Sequence, residues 1–503
     1  MKKEQVEHPI TAMRRASVPL AAFETSDPAA TVAGIVSALN GNGKTSPIIS
    51  WDICQTWVGL NDAGRESLDW FDPMTMGLAE SLKALGEQDA DNSGLVAFMH
   101  NAQRFLERDG VAQGLWNLRD KLKAVNGIIV LLGPSLSLPA ELLQDVVVVT
   151  EPLPDAEAIG VIVDGIVKDS IAAGAKIVAT EYGREVVVDT LCGLSAFAAE
   201  QALAMSIGKD GVNADALWER KRRLVEQTPG LSIWKGSESF DSLGGLANIK
   251  DYLRRILTSG KTPVRAIGFI DEIEKGFAGA GGDLSGVSQD QLGVFLKTMQ
   301  DFEIPGIILV GPPGTGKSAI AKGAGGVSGA EVLTIDTGAM TGSLVGESQR
   351  KIRAAMETFK AVARGKGLFI ATCNKLSALP PELKRRFTLG TFFVDLPSSE
   401  ERAVIWPLWI KKFGLSKEQS ETSVVNADGW TGAEIKACCE VAYRTGSTLF
   451  EASAYIVPVC RSAAESIETL RKGAAGKFIS ANYAGTYKIP TSAESAVKRA
   501  MAF

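Results

Sequence analysis

The sequence predicts an α/β protein built on parallel sheet and divided into two modules. Three observations lead there. An apolar strand, a glycine-rich loop and a helix follow one another in PGIILVGPPGTGKSAIAKGAGG (305–326). Three apolar strands, IGFID, EVLTID and TFFVD, each end in an aspartate, at Asp271, Asp336 and Asp395. The stretch from Gly127 is echoed from Gly367. Strand patterns alternating with helical ones point to βαβ units. A chain of 503 residues exceeds what one core serves, so two to four domains are expected.

Composition narrows the chemistry. The chain is 45% hydrophobic and 22% charged with a net charge of -5, and its pI is near 5.5. That balance offers no electrostatic reason for tight non-specific binding of nucleic acid. The six cysteines form no C-x-x-C pair, which argues against a zinc ribbon or a disulfide framework and for buried thiols in a reducing cytoplasm. Histidine occurs only at His8 and His100, which removes histidine metal sites and a Ser-His-Asp triad from consideration. No apolar run reaches the roughly eighteen residues a membrane span requires.

Read in order, residues 1–45 end in the flexible run NGNGKTSP and are expected to be a flexible tail rather than a targeting peptide. Ordered structure is expected from PIISWDI onward. Residues 46–210 form the first module, and VEQTPGLSIWKGSES lies in an expected linker, 211–236. The second module is a large α/β part, 237–400, with a helical part at 401–476 and a tail at 477–503. GIIVLLGPSLSLPAEL at Gly127 lies on GLFIATCNKLSALPPEL at Gly367; EPLPDAE and VVDTLCGLSAFAAEQAL then match VDLPSSEE and VVNADGWTGAEIKACCEVA in the same order. This favours duplication of one unit. The first copy has no glycine-rich loop, places Pro134 opposite Asn374, and has Gln144 and Asp145 opposite Arg385 and Arg386. It reads as a catalytically dead scaffold.

GPPGTGKS is the chemical centre. Gly311, Gly314 and Gly316 let backbone N–H groups converge on phosphate at a helix N-terminus, with Pro312, Pro313, Thr315 and Ala319 completing the cradle. Lys317 is expected to reach the β and γ phosphates, and the Ser318 hydroxyl to ligate Mg²⁺. Such a site also needs a metal-side carboxylate and a base. Of the three strand-end aspartates only Asp271 is followed at once by a carboxylate, Glu272, so Asp271 is expected on the metal and Glu272 on water. Asn374, ending LFIATCN, is placed to orient that water. PPELKRRF supplies Arg385 and Arg386, whose guanidinium groups suit developing phosphoryl charge.

Together these stretches resemble the AAA+ ATPase superfamily over about residues 237–450: FDSLGGLANIK, with Gly244, its entry segment near adenine; GPPGTGKS its phosphate loop; FIDEIEK its metal-and-base strand; ATCNK its sensor; LKRRF its arginine fingers; WTGAEIKACCEVA its helical lid. The first module is then a degenerate AAA+-like α/β unit. DEIEKGFAG, the WDI strand and VPVCRSAAESIETLR further resemble the family named for hypothetical chloroplast reading frame forty-six. The order departs from that pattern. The strand ending in Asp271 and the helix SQDQLGVFLKTMQDF precede the phosphate loop, whereas the helix ESQRKIRAAMETFKAVARGKG leads straight into LFIATCN. A local circular permutation accounts for both. It leaves the catalytic strand between the sensor strand and the outer strand, because each crossover is long enough to skip one strand.

The resemblance implies a Mg²⁺-dependent ATPase, a homo-oligomeric ring, hexameric by analogy, with arginines acting on a neighbour's nucleotide, and remodelling of a protein partner. Threading relatives carry a lysine-aromatic pair where MTGSLVGES has Ser343 and Leu344. An ATP-gated assembly scaffold is therefore the alternative, with a nucleic-acid motor disfavoured by the acidic pI.

Overall fold

The computed structural model describes residues 8–40, 46–69, 72, 76–87, 94–108, 110–175, 183–208, 211–234, 236, 238–258, 263–277, 287–340, 347–376 and 381–490. The loop carrying Ser343 and Leu344 lies outside the described residues, as do residues 491–503. The chain divides into two compact units. One comprises Met1–Pro154, Asp164–Ile166 and Ser195–Ala204, the other Asp155–Val163, Val167–Leu194 and Met205–Phe503.

The first unit is a six-stranded sheet of β1 (Leu20–Glu24), β2 (Ile48–Asp52), β3 (Thr56–Gly59), β4 (Val96–Met99), β5 (Ile128–Gly133) and β6 (Val146–Thr150), in the order β3-β2-β4-β5-β1-β6. All neighbours are parallel except β2 and β3. Both faces are covered, as a parallel sheet requires. Leu20, Ala22, Met99, Ile129 and Leu131 pack on one side, and Ala21, Phe23, Phe98, Val130 and Leu132 on the other.

β1 corrects the expectation of a flexible tail over 1–45. It lies between β5 and β6, pairing Leu20 with both Ile129 and Val146, and the helix Pro9–Arg15 before it buries Ile10 and Met13. Five residues among basic neighbours make a weak local signal, and insertion into a sheet turns them into core.

The second unit contains a two-stranded ribbon, β7 (Ile207–Gly208) with β8 (Gly211–Val212), and a seven-stranded sheet. That sheet consists of β9 (Leu231–Trp234), β10 (Ala266–Ile270), β11 (Gly306–Val310), β12 (Glu331–Ile335), β13 (Gly367–Cys373), β14 (Thr391–Phe393) and β15 (Ile479–Ser480). Its order is β15-β14-β11-β13-β10-β12-β9, parallel throughout except for β9 against β12. β10 lies between β13 and β12 although it precedes β11 in the chain.

Three boundaries are corrected. The expected linker 211–236 contains the helix Ala214–Val225 and β9, and Lys221, fully buried, meets both carboxylate oxygens of Glu331 at 2.6 and 2.7 Å. Residues 155–194, expected in the first module, belong mostly to the second unit, where Asp189 pairs with Arg265 at 3.1 Å and Arg364 at 2.7 Å. The expected tail from residue 477 enters as β15, and the buried Tyr487 donates to Asp395 Oδ2 at 2.6 Å.

The helical part folds as its local signals direct. Ser398 with Glu401, Thr431 with Glu434 and Thr448 with Glu451 each form a complete capping box, which satisfies orphan N–H groups at three helix starts. The helices Ser399–Phe413, Gly432–Thr445 and Leu449–Ser453 then bury Ile405, Trp406, Trp430, Ile435, Cys438 and Leu449 together. Among the described residues no helix is long and apolar enough to cross a membrane.

Candidate nucleotide site

Ligands of open parallel sheets bind beyond the carboxyl ends of the strands. In the second sheet β10, β11 and β13 end side by side, carrying Asp271, the loop from Gly311 and Asn374. The loop turns through left-handed backbone at Gly314 (φ 80°) and Gly316 (φ 94°) and delivers the helix Lys317–Ser328. At Gly311 the need for glycine is steric, since a Cβ would stand 2.0 Å from the Val394 carbonyl oxygen.

Lys317 is 5% exposed and donates from Nζ to the carbonyls of Gly311 (2.9 Å) and Pro312 (2.6 Å). Burial pushes its ammonium down to about 8, against the opposing pull of Glu274, Asp271 and Glu272. The loop therefore holds a desolvated cation whose donors are engaged by backbone carbonyls, a group that a phosphate would stabilise.

The reversed chain order does not separate the acid pair from the loop. The Ser318 hydroxyl donates to Asp271 Oδ1 at 2.8 Å, and the Thr372 hydroxyl donates to the same oxygen at 2.6 Å. Asn374 Nδ2 donates to Glu272 Oε1 at 2.9 Å, and the Asn374 backbone N–H donates to Glu274 Oε1 at 2.8 Å. The Glu272 carboxylate also pairs with Lys275. Glu272 has φ 48°, in the left-handed region that side-chain-bearing residues rarely adopt.

A cavity of about 390 Å³ opens onto this corner. It is lined by Gly314, Gly316, Lys317, Ser318, Asp271 and Glu272, together with Pro313, Thr315, Ala319 and Asn374. Leu243, Gly244, Leu246, Ile405, Leu408 and Trp409 supply its apolar lining, a slot suited to a flat base. Gly244 is packed so closely that a Cβ would lie 2.4 Å from Ile405 Cγ1. Gly311 and Pro312 lie outside the lining and contribute through their carbonyls to Lys317.

Arg385 and Arg386 are not brought to this cavity. They end the helix Pro381–Arg386 and line a separate depression with Met299, Gln300, Glu303, Ile304 and Pro305. Sequence reasoning missed Thr372 and Glu274, and missed Glu401, Trp409 and Lys436 of the helical part, all but Glu274 lining the cavity. The extra carboxylate in DEIEK was a visible signal for Glu274. Thr372 and the others carry no local spacing that marks them.

A parallel sheet with a glycine loop, a strand-end acid pair and a helical cover around one cavity defines a nucleotide-binding protein of the AAA ATPase class. Comparison with known proteins agrees. A family described as ATPase family associated with various cellular activities (AAA) matches residues 307–368, and one described as SpoVK-like AAA ATPase, N-terminal domain, matches residues 6–151. The AAA domain-containing protein ycf46 of Guillardia theta is 23% identical over 498 residues, covering 86% of this chain and 88% of that protein. The ycf46 protein of Gracilaria tenuistipitata var. liui is 26% identical over 393 residues, covering 68% and 72%. Among solved structures, the FIGL-1 AAA domain aligns at a TM-score of 0.32 and 18% identity, over 50% of this chain and 94% of that one. The chain is thus similar to AAA+ ATPases and, over most of its length, ycf46-like.

Proposed function

We propose that the chain hydrolyses ATP to ADP and phosphate at this cavity, in a Mg²⁺-dependent manner, and works as an oligomer that remodels a protein partner. The observation that carries the reading is the 2.8 Å hydrogen bond from Ser318 to Asp271, which joins the phosphate loop to the acid-bearing strand across one cavity. In this reading the glycine-loop amides and Lys317 hold the β and γ phosphates. Glu272 accepts a proton from the attacking water, and Asn374, already bonded to Glu272, orients that water.

The Ser318 hydroxyl and Asp271 carboxylate are a hard all-oxygen pair that fits Mg²⁺. Bound there, the ion would neutralise charge on the phosphate oxygens. Arg385 is exposed and away from its own chain's cavity, which fits a guanidinium serving a neighbouring subunit. Such head-to-tail service closes naturally into a ring, for which we take a hexamer. A local circular permutation is our account of the early β10, supported by its place between β13 and β12. The free, buried Cys192, Cys373, Cys438 and Cys439 suit a cytoplasmic setting.

The test is turnover by the purified protein with and without Mg²⁺, together with a Glu272→Gln variant. Turnover is expected to require the metal and to be lost in the variant, which should retain ATP and co-purify with its partner. Full-rate hydrolysis by the variant would remove Glu272 from the reaction. A second reading, an ATP-gated scaffold that assembles and disassembles without threading, is favoured by Ser343 and Leu344 where an aromatic grip would stand. Stimulation of turnover by an unfolded protein would count against it.

A further inference from the structure

The corner at Asp271 and Glu272 is an awkward piece of backbone. β10 is buried along its whole length, and one residue past Asp271 the chain enters the left-handed region at Glu272. A non-glycine residue persists there only when its surroundings hold it, and such conformations cluster at functional sites.

The holding group is on the adjacent strand. β13 runs parallel to β10 with Ala371 opposite Ile270, the last residue of β10, so Thr372 stands level with Asp271, where the corner begins. Thr372 is 1% exposed. Its hydroxyl donates its one hydrogen to Asp271 Oδ1 at 2.6 Å and accepts the Glu272 backbone N–H at 2.8 Å. One hydroxyl can do both because it carries one donor and two acceptor lone pairs. Valine has the same shape and can do neither.

We propose that Thr372 is a positioning residue for hydrolysis: its hydroxyl bridges the Asp271 carboxylate and the Glu272 backbone, and so sets the turn that presents the Glu272 carboxylate to the cavity. The proposal rests on the reading of Glu272 as the base. Thr372 touches neither phosphate nor water in that scheme. Its loss leaves the glycine loop, Lys317 and the apolar slot as they are, so ground-state nucleotide binding is preserved while the carboxylate loses its aim.

The experiment compares Thr372→Val, Thr372→Ala, Thr372→Ser and Glu272→Gln in the full-length protein. Steady-state hydrolysis, affinity for a non-hydrolysable ATP analogue and thermal unfolding are measured for each. Thr372→Val and Thr372→Ala are expected to lower kcat about 10- to 100-fold, as loss of an orienting partner does. KM and analogue affinity should stay within about twofold of the unmodified protein, and Thr372→Ser should recover most of kcat by keeping the hydroxyl. If Thr372→Val destabilises the fold too far to assay, Thr372→Ala and Thr372→Ser decide by the same criteria. An unchanged kcat in the variants lacking the hydroxyl, or an equal loss in Thr372→Ser, overturns the proposal while Glu272→Gln remains inactive. Full activity in Glu272→Gln would instead overturn the reading on which it rests.

Discussion

The two sheets of this chain use the same slots for different ends. In the first the parallel strands stand in the order β2-β4-β5-β1-β6, and in the second β12-β10-β13-β11-β14. Each carries an antiparallel strand beyond its β2 or β12 edge, β3 in one and β9 in the other. β1 and β11 occupy equivalent places, and each is followed by a helix, Pro28–Asn40 and Lys317–Ser328. Among these parallel strands only the slot held by β4 and β10 is filled at a different point in the chain, after β2 in one case and before β11 in the other.

What separates the sheets chemically is the loop after the equivalent strand. Gly311–Gly316 is long enough, with two left-handed glycines, to aim amides at a phosphate. Thr25–Asp27 is half as long, has no glycine, and uses its groups internally: Ala30 N–H donates to Asp27 Oδ1 at 3.1 Å, and the Thr31 hydroxyl donates to the Glu151 carboxylate. Carboxylates at that edge repel a phosphate. The lesson is that the sheet supplies a location, and loop length with its glycines supplies the binding.

This contrast is open to direct attack, first at the chemistry. Glu272→Gln should lower ATP turnover by about 10²- to 10⁴-fold, the usual contribution of a general base. Asp27→Asn in the equivalent region of the first sheet should leave turnover unchanged, and a comparable loss there would erase the asymmetry.

Next comes an interior strand of the first sheet, β1. Phe23, 1% exposed, should destabilise its unit by about 3–5 kcal/mol on substitution to alanine, measured by urea unfolding. A change within error would return residues 9–40 to the status of a tail. Lys221→Met leaves Glu331 without its partner, and removing one member of a buried pair costs about 3–5 kcal/mol. Because Glu331 is 20% exposed the lower end is expected, read from the unfolding transition of the second unit. The smallest effect is expected for Tyr487→Phe, which removes the hydroxyl donating to the buried Asp395. A loss of about 1–3 kcal/mol should appear in thermal unfolding, and its absence would detach the segment after β15 from the sheet it joins.

Legibility followed contiguity. The glycine loop and its helix occupy one stretch, so strand, turn and cap could be read together. The Asp271–Glu272 pair was readable as the end of an apolar strand. β1, β9 and β15 were not, because five, four and two residues carry little periodicity and become strands only when a neighbour supplies hydrogen bonds. Thr372 lies inside a strand buried at every position, where nothing local distinguishes one hydroxyl from a packing residue. Its role depends on register with β10, and register is a property of two strands.

By itself the sequence marked the glycine loop, Asp271, Glu272 and Asn374 as groups whose chemistry suits phosphate, metal and water, because loop conformation and residue type are local. Only the tertiary structure decided that Thr372 of β13 is bonded to the Asp271–Glu272 corner and that a segment resembling a tail becomes an interior strand between β5 and β6. Those outcomes come from hydrogen bonding and burial between residues far apart in sequence, which no window along the chain contains.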